Sequence, residues 1–330
     1  MPNWCSNRLE ITLNNAADKV ALTRWINAEN GLPAWQTAIA QSLHLLLAGC
    51  VGILKPVKPI DFVPLPALTS HGETGVVSPG NTAFTHWVEL LMTAPDLDAA
   101  CCQQIDQWYQ MWLCEETSYR PWYTLTYSQK AVLSSLLSVC GFDWLNRIVA
   151  RNDSEMAVAW DDIQQLKSWR AAMPMDMRDL VPTYLAAELN GFNGRLWQPP
   201  EGTPGPSAQA QWQAFAPAVS SYWLYLDRYG VKWPNGIEVR CSDDSDETHL
   251  SVDFESPWSP PSEAVLCAIS AHFHCAVRHT YIEEGCGFCG YGEYANGLLI
   301  NGDLDEITYS EMENENGVYD ITGPDYILDN

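Results

Sequence analysis

Positive charge is what this chain has least of. Its 330 residues carry 17 Lys and Arg against 41 Asp and Glu, a formal net charge of −24. A protein that grips nucleic acid neutralises phosphates with basic side chains and releases their counterions, so direct DNA or RNA binding is not expected here. The shortage is sharpest at the C-terminal end, where no Lys or Arg follows Arg278 and twelve carboxylates remain, among them Asp303, Asp305, Glu306, Glu311, Glu313 and Glu315. Such a run acts as a solvated face that keeps the chain in solution, or as a surface that imitates nucleic acid or steers a basic protein partner.

Long apolar runs are also scarce. The greasiest stretch, residues 38–54, is broken by Gln41, Ser42 and His44 and falls short of the ~20 residues of a membrane-spanning helix, so it is expected in a buried core with no membrane contact. Residues Met1 to Arg8 contain no apolar export segment, and the eleven cysteines are scattered through the chain. A cytoplasmic protein with reduced thiols is the expectation. No GxSxG, HExxH or phosphate-cradling glycine loop occurs, so no catalytic residue is assigned and the reading leans away from an enzyme. With 47% hydrophobic and only 18% charged residues, the chain has enough apolar surface to fold into a sizeable core.

What is present divides into three parts. Leu9, Ile11 and Leu13 alternate with polar residues as in a half-buried strand, and Asn14 and Asn15 then offer a cap to a helix over residues 16–28. The run Ile60 to Val63, bracketed by prolines, reads as an edge strand at best. From about Phe84 the spacing becomes helical, with stripes such as Ile105, Trp108, Trp112 and Leu113, or Met156, Trp160, Ile163 and Leu166. Residues 197–211 are too rich in Pro and Gly for a packed element and are expected as an exposed loop. A helix with the stripe Trp212, Phe215, Val219, Trp223 and Leu226 follows it.

The last third is expected to hold strands around Ile237 and Val239 and around Leu250, Val252 and Phe254, with residues 243–247 at the hairpin tip. A helix capped at Ser259 with prolines in its first turn comes next, then strands over residues 275–282 and 288–299. This order gives an α+β fold: a ferredoxin-like antiparallel sheet with helices on one face, interrupted by a large all-helical insertion. The expected boundaries are residues 1–83 for the opening strand and helix, 84–211 for the insertion, and 212–330 for the ferredoxin-like part with its acidic tail.

The blocks Met1-Pro2-Asn3-Trp4-Cys5-Ser6-Asn7-Arg8, Val76-Val77-Ser78-Pro79, Asn190-Gly191-Phe192-Asn193-Gly194, Tyr229-Gly230-Val231-Lys232-Trp233, Pro257-Trp258-Ser259-Pro260-Pro261, Tyr281-Ile282-Glu283-Glu284-Gly285 and Phe288-Cys289-Gly290 together resemble the YubB-like family. Its members are carried by conjugative plasmids and bacteriophages. The resemblance implies a C-terminal ferredoxin-like domain, a bacterial cytosol and a mobile gene. It implies no activity.

Two constellations carry candidate chemistry. Cys286 and Cys289 have the spacing of a zinc half-site, which Cys275 or His279, or alternatively His272 or His274, would complete. The bland reading is two thiols in a glycine-rich hairpin. Asn301, Asp303 and Asp305 match the opening of a calcium loop, but Glu306 stands where glycine is needed and Met312 where a bidentate Glu is needed. For binding, the candidates are Trp233 and Trp258 at loop junctions, Tyr281 and Glu283 in the Tyr281-to-Gly285 block, and the acidic Asp303, Asp305 and Glu306. The function expected is therefore a non-enzymatic acidic interaction protein that binds a host protein, with counter-defence or nucleic-acid mimicry as its uses. The alternatives are a small enzyme or ligand-binding protein with a pocket between sheet and insertion, and a zinc-stabilised module.

Overall fold

Alternation governs the first strand. In the computed structural model, which describes residues 3–62, 65–139, 152–166, 173–190, 221–242, 246–313 and 319–328, β1 (Trp4–Leu13) buries Cys5, Asn7, Leu9, Ile11 and Leu13 on one face. Ser6, Arg8, Glu10 and Thr12 point to the other. The Asn15 side chain accepts the Asp18 amide at 3.0 Å and so caps α1 (Ala16–Ile26), whose Leu22, Trp25 and Ile26 are buried.

The chain then builds a helical unit of Leu32–Ala171 and Pro182–Leu224. Its centre is α2 (Ala34–Cys50), buried on nearly every side as its composition requires. Around it pack α3 (Pro79–Met92), capped by Ser78 with a proline in its first turn, and α4 (Ala99–Leu113), capped by Asp98. Next come α5 (Tyr127–Val139), α6 (Asp153–Gln164) and α7 (Leu185–Asn190). His44 sits among Tyr109, Trp112 and Trp160, with Nδ1 2.6 Å from the Tyr109 hydroxyl, and burial drives its pKa down to about 3. Ile60 and Phe62 form no strand. Both are buried in this core, and Val63 lies outside the described residues. The expected boundary at residue 84 falls inside α3, because residues 32–83 pack with the helices. In α8 (Ser221–Tyr229), Trp223 is 61% exposed and Leu226 half-buried, and residues 197–211 with Trp212, Phe215 and Val219 of that expected stripe lie outside the described residues.

The second unit comprises Met1–Gly31, Ala172–Val181 and Tyr225–Asn330. A short segment re-enters it ahead of the remaining strands: the Met175 amide donates to Ile26 O at 3.1 Å and the Met177 amide to Pro234 O at 2.7 Å. Within that segment Arg178 grips Asp176 through two bonds of 2.9 and 2.6 Å, both residues being buried. There follow β2 (Ile237–Cys241), β3 (His249–Pro257), α9 (Glu263–His272), β4 (Cys275–Glu283), β5 (Phe288–Ala295) and β6 (Leu298–Glu306). The sheet order is β2-β3-β1-β4-β5-β6, antiparallel throughout. Its first four strands with α1 and α9 make the split βαβ arrangement of a ferredoxin-like layer. Trp25 of α1 and Phe273 after α9 meet at 5.6 Å, which places both helices on the same face. A small ribbon of β7 (Thr308–Glu313) and β8 (Tyr319–Thr322), then α10 (Asp325–Leu328), completes the unit.

Two expected details are corrected. Strand 288–299 is interrupted at Asn296-Gly297, both with positive φ, 53° and 78°, which is the geometry of a tight hairpin turn. The helix after Pro260-Pro261 starts one turn later than expected, with Ser262 at its cap. The Ser259 hydroxyl instead donates to Gly230 O, and the Ser262 hydroxyl to Arg228 O at 2.7 Å. No helix among the described residues is long and apolar enough to cross a membrane.

Candidate functional site

The two faces of the sheet carry different chemistry. Under the helices, Asn7 Nδ2 donates to Cys5 O at 2.7 Å and to Ser256 Oγ at 2.8 Å, and Ser256 passes a hydrogen bond on to Ser259 O at 2.7 Å. That orientation of the amide leaves Asn7 Oδ1 as the acceptor for His279 Nε2 at 3.0 Å, so Nε2 holds the ring proton. Burial lowers the pKa of His279 to about 3 and, with Glu283 nearby, pushes the Cys5 thiol up to about 12. Neutral imidazole and protonated thiol, both enclosed, make this ladder a structural brace and not a nucleophilic centre.

Glu283, expected as a binding residue, is buried and serves the turn after β4. Its two oxygens accept the Gly285 amide at 3.1 Å and the Cys286 amide at 2.5 Å. Tyr281 packs beside His279 at 5.1 Å and lies over Gly290, where any side chain would collide with its hydroxyl and with Asp303 O. The aromatic ring fills the space that glycine leaves in β5, and burial raises its pKa. Trp233 meets Trp4 at 6.2 Å, and Trp258, 43% exposed, carries Lys232 Nζ 3.4 Å above its ring. These tryptophans gather at one end of the sheet, where the Trp258 amide donates to Asn3 O at 2.9 Å.

The four expected metal ligands do not converge. Cys275 and His279 share a strand face but stand four residues apart, roughly 13 Å along β4, while Cys289 projects from the opposite face of the sheet. Cys286 is exposed in the turn, its thiol raised chiefly by hydrogen bonding to Glu283, and burial pushes Cys275 up to about 11. Among the described residues, no group of three or more His, Cys, Asp and Glu side chains stands close enough to hold a metal ion.

The open face is polar and paired. Arg8 bonds Asp253 through Nε at 2.7 Å and Nη2 at 3.4 Å, and Glu10 takes His249 and Ser251, each at 2.8 Å. A shallow cleft of roughly 280 Å³ lies over this face, lined by Arg8, Arg240, Asp253, Glu255, Thr280 and Ile327 among others. Its volume is near the lower end for small-molecule sites, and its opposite charges largely answer each other. Next to it Tyr326 of α10 covers Cys289, donating to Asp305 Oδ2 at 2.7 Å with its ring 5.1 Å from Tyr291.

The sheet ends at β6, and this edge differs from everything around it. Every residue of β6 is exposed except the half-buried Asp305, with Leu298, Ile300 and Leu304 each more than 60% open to solvent. Asp303, Asp305 and Glu306 belong to the same strand, and no further strand pairs beyond it among the described residues. Of the expected binding residues, Asp303, Asp305 and Glu306 share this strand, the first two on one face and Glu306 on the other. Trp258 is also open to solvent, whereas Tyr281 and Glu283 have internal partners. Leu298, Ile300, Arg8 and Asp253 were not singled out by sequence. The Asn-Gly dipeptide at 296–297 was the available signal for β6, because it marks a two-residue hairpin loop and hence a second strand.

Similarity to known proteins follows the same division. The chain is similar to the uncharacterised protein YubB of Escherichia coli K12, 34% identical over 157 residues, which is 48% of this chain and 95% of that protein. It is similar to the uncharacterised protein YubA of the same strain, 30% identical over 161 residues, 49% of this chain and 90% of that one. The crystal structure of a protein api92 from Yersinia pseudotuberculosis superposes with a TM-score of 0.75 at 32% identity, covering 92% of this chain and 98% of that one. A model described as a ferredoxin-like domain in Api92-like protein matches residues 238–322, which hold the strands β2 to β8 but not β1. The model described as a protein of unknown function, DUF1281, matches residues 32–233, starting where the helical unit starts, and the chain belongs to this DUF1281 family.

Proposed function

We propose that this chain is a non-enzymatic acidic protein of a plasmid or bacteriophage, working in the cytoplasm, that binds a basic host protein. The observation that supports this reading best is the concentration of carboxylates, uncompensated by Lys or Arg, in the sheet unit after Arg278. Asp303 and Glu306 stand exposed on β6, and Glu311 on β7. Such a field attracts and orients a basic partner before contact. The mobile-element setting rests on the resemblance of the sequence blocks to the YubB-like family. Counter-defence by imitation of nucleic acid is one use of such a field.

The test is retention of bacterial proteins on the immobilised full chain across a salt series. Retention of one basic partner is expected near 0.01 M salt, where the Debye length is about 30 Å, with release near 1 M, where it is about 3 Å. A partner held equally at both ends would overturn the reading. A second reading, binding of a small charged ligand in the cleft beside Arg8 and Arg240, is favoured by the cleft itself. Under that reading, Arg8→Ala abolishes the ligand's effect on melting temperature.

A further inference from the structure

We infer that the β6 edge is a docking strand, and that its occupant is an extended basic segment of a partner protein, which adds to the sheet as a further antiparallel or parallel strand. This deepens the reading above and rests on it. An open edge offers a row of backbone donors and acceptors, and nine residues at ~3.3 Å each present roughly 30 Å of it. Most soluble proteins shorten, bury or charge such an edge. Here the C-terminal half of the strand is charged, but the strand is long, no described strand pairs beyond it, and it shows Leu298, Ile300 and Leu304 to solvent at 64, 63 and 65%. Strand addition takes affinity from main-chain hydrogen bonds and specificity from the side chains that alternate beside them, and β6 has both kinds of group ready.

Charge selects the occupant. A second copy of this chain carries the same net charge of −24 and is repelled, and in a parallel in-register pairing it would lay Asp303, Asp305 and Glu306 against the same three carboxylates, where like charges directly opposite one another are destabilising. No Lys or Arg follows Arg278, so no neighbour in sequence on this side offsets them. The same carboxylates favour Lys or Arg at alternate positions of an incoming strand, with aliphatic residues between them to cover Ile300 and Leu304. The Leu304 amide donates to Asp303 Oδ1 at 2.9 Å.

The experiment uses the full chain and two synthetic nine-residue peptides, one alternating Lys with Val and one alternating Glu with Val. Fluorescence anisotropy reads binding, and hydrogen exchange of residue-resolved amides reads its place. The Lys-Val peptide is expected to bind at low salt and to slow exchange across Leu298 to Glu306, and the Glu-Val peptide is expected to do neither. Backbone N-methylation at alternate residues of the Lys-Val peptide should weaken it by about tenfold. Ile300→Lys with Leu304→Lys, at exposed positions, should weaken it similarly, whereas Val20→Lys on the exposed side of α1 should not. Binding that leaves β6 exchange unchanged, or that survives N-methylation, overturns strand addition while the acidic-partner reading stands. No binding of the Lys-Val peptide at low salt overturns both. Dimerisation of the chain with protection of β6 amides would show that the occupant is a second copy.

Discussion

Asp176 and Arg178 lie two residues apart in a segment with no regular secondary structure beyond one short turn, yet their side chains are 0 and 3% exposed. Each ion offsets the other's charge through two short bonds, so removing one leaves the other less well compensated in a poorly solvating environment. Arg178→Met is expected to cost about 3–5 kcal/mol of unfolding free energy in urea titration, and the double change Asp176→Leu with Arg178→Met distinctly less. The buried histidines set a second expectation. The pKa of His279, like that of His44, is held near 3 in the folded chain against an ordinary value of about 6.5 in the unfolded one. The unfolded state therefore takes up protons first as the solution is acidified. The stabilisation is complete above pH ~6.5 and declines towards pH ~3, by up to about 1.4 kcal/mol per pH unit per histidine. Urea midpoints measured from pH 7 to pH 4 should fall, and His279→Gln should reduce the slope whatever it does to the midpoint at pH 7.

At the scale of elements, α10 is the piece whose role is easiest to probe. Its Tyr326 covers Cys289, which is fully buried, while Cys286 three residues earlier is exposed in the turn. Tyr326→Ala should leave the sheet intact and raise the rate at which a thiol reagent modifies Cys289, followed by mass spectrometry, with Cys286 labelling unchanged. The Tyr326 hydroxyl is pushed above the ordinary tyrosine range, first by burial and then by its bond to Asp305. The docking it contributes is complete below pH ~10 and is lost only at higher pH, so the protection of Cys289 should persist through neutral pH. Much at this scale was legible in the sequence. β1 and α1 were, because alternation and an Asn cap are local signals, and so were β3 and the buried face of α9. The interruption of the strand at Asn296 is also a local signal, because Asn-Gly favours the positive φ of a two-residue turn. The re-entry of residues 173–181 into the sheet unit was not legible, because its warrant is a pair of long-range backbone bonds with no periodic pattern. Similarly, Tyr281 and Glu283 looked like surface groups until the glycine at 290 and the turn at 285–286 supplied them with internal partners.

For the molecule as a whole, a net charge of −24 means that folding gathers like charges. Screening that repulsion should raise the melting temperature as sodium chloride is increased from about 0.01 M to about 1 M, in contrast to the partner binding proposed above, which the same salt should weaken. Opposite responses in calorimetry and in retention would separate a global effect of charge from its use in recognition. Composition made the first of these visible from the start. The second needed coordinates, because only the register of β5 with β6 shows which carboxylates share an exposed edge.

The central strand of the sheet, β1, is synthesised well before its partner β3, and Arg8 finds Asp253 across a separation of 245 positions. At translation speeds of ~5–20 residues per second, the ribosome needs roughly ten to fifty seconds to deliver that partner. Throughout that interval Leu9, Ile11 and Leu13 have no sheet to join, while every residue of the helical unit emerges. Nascent chains arrested before β3 should consequently present an unpaired apolar strand to chaperones, and chains arrested after β4 should not.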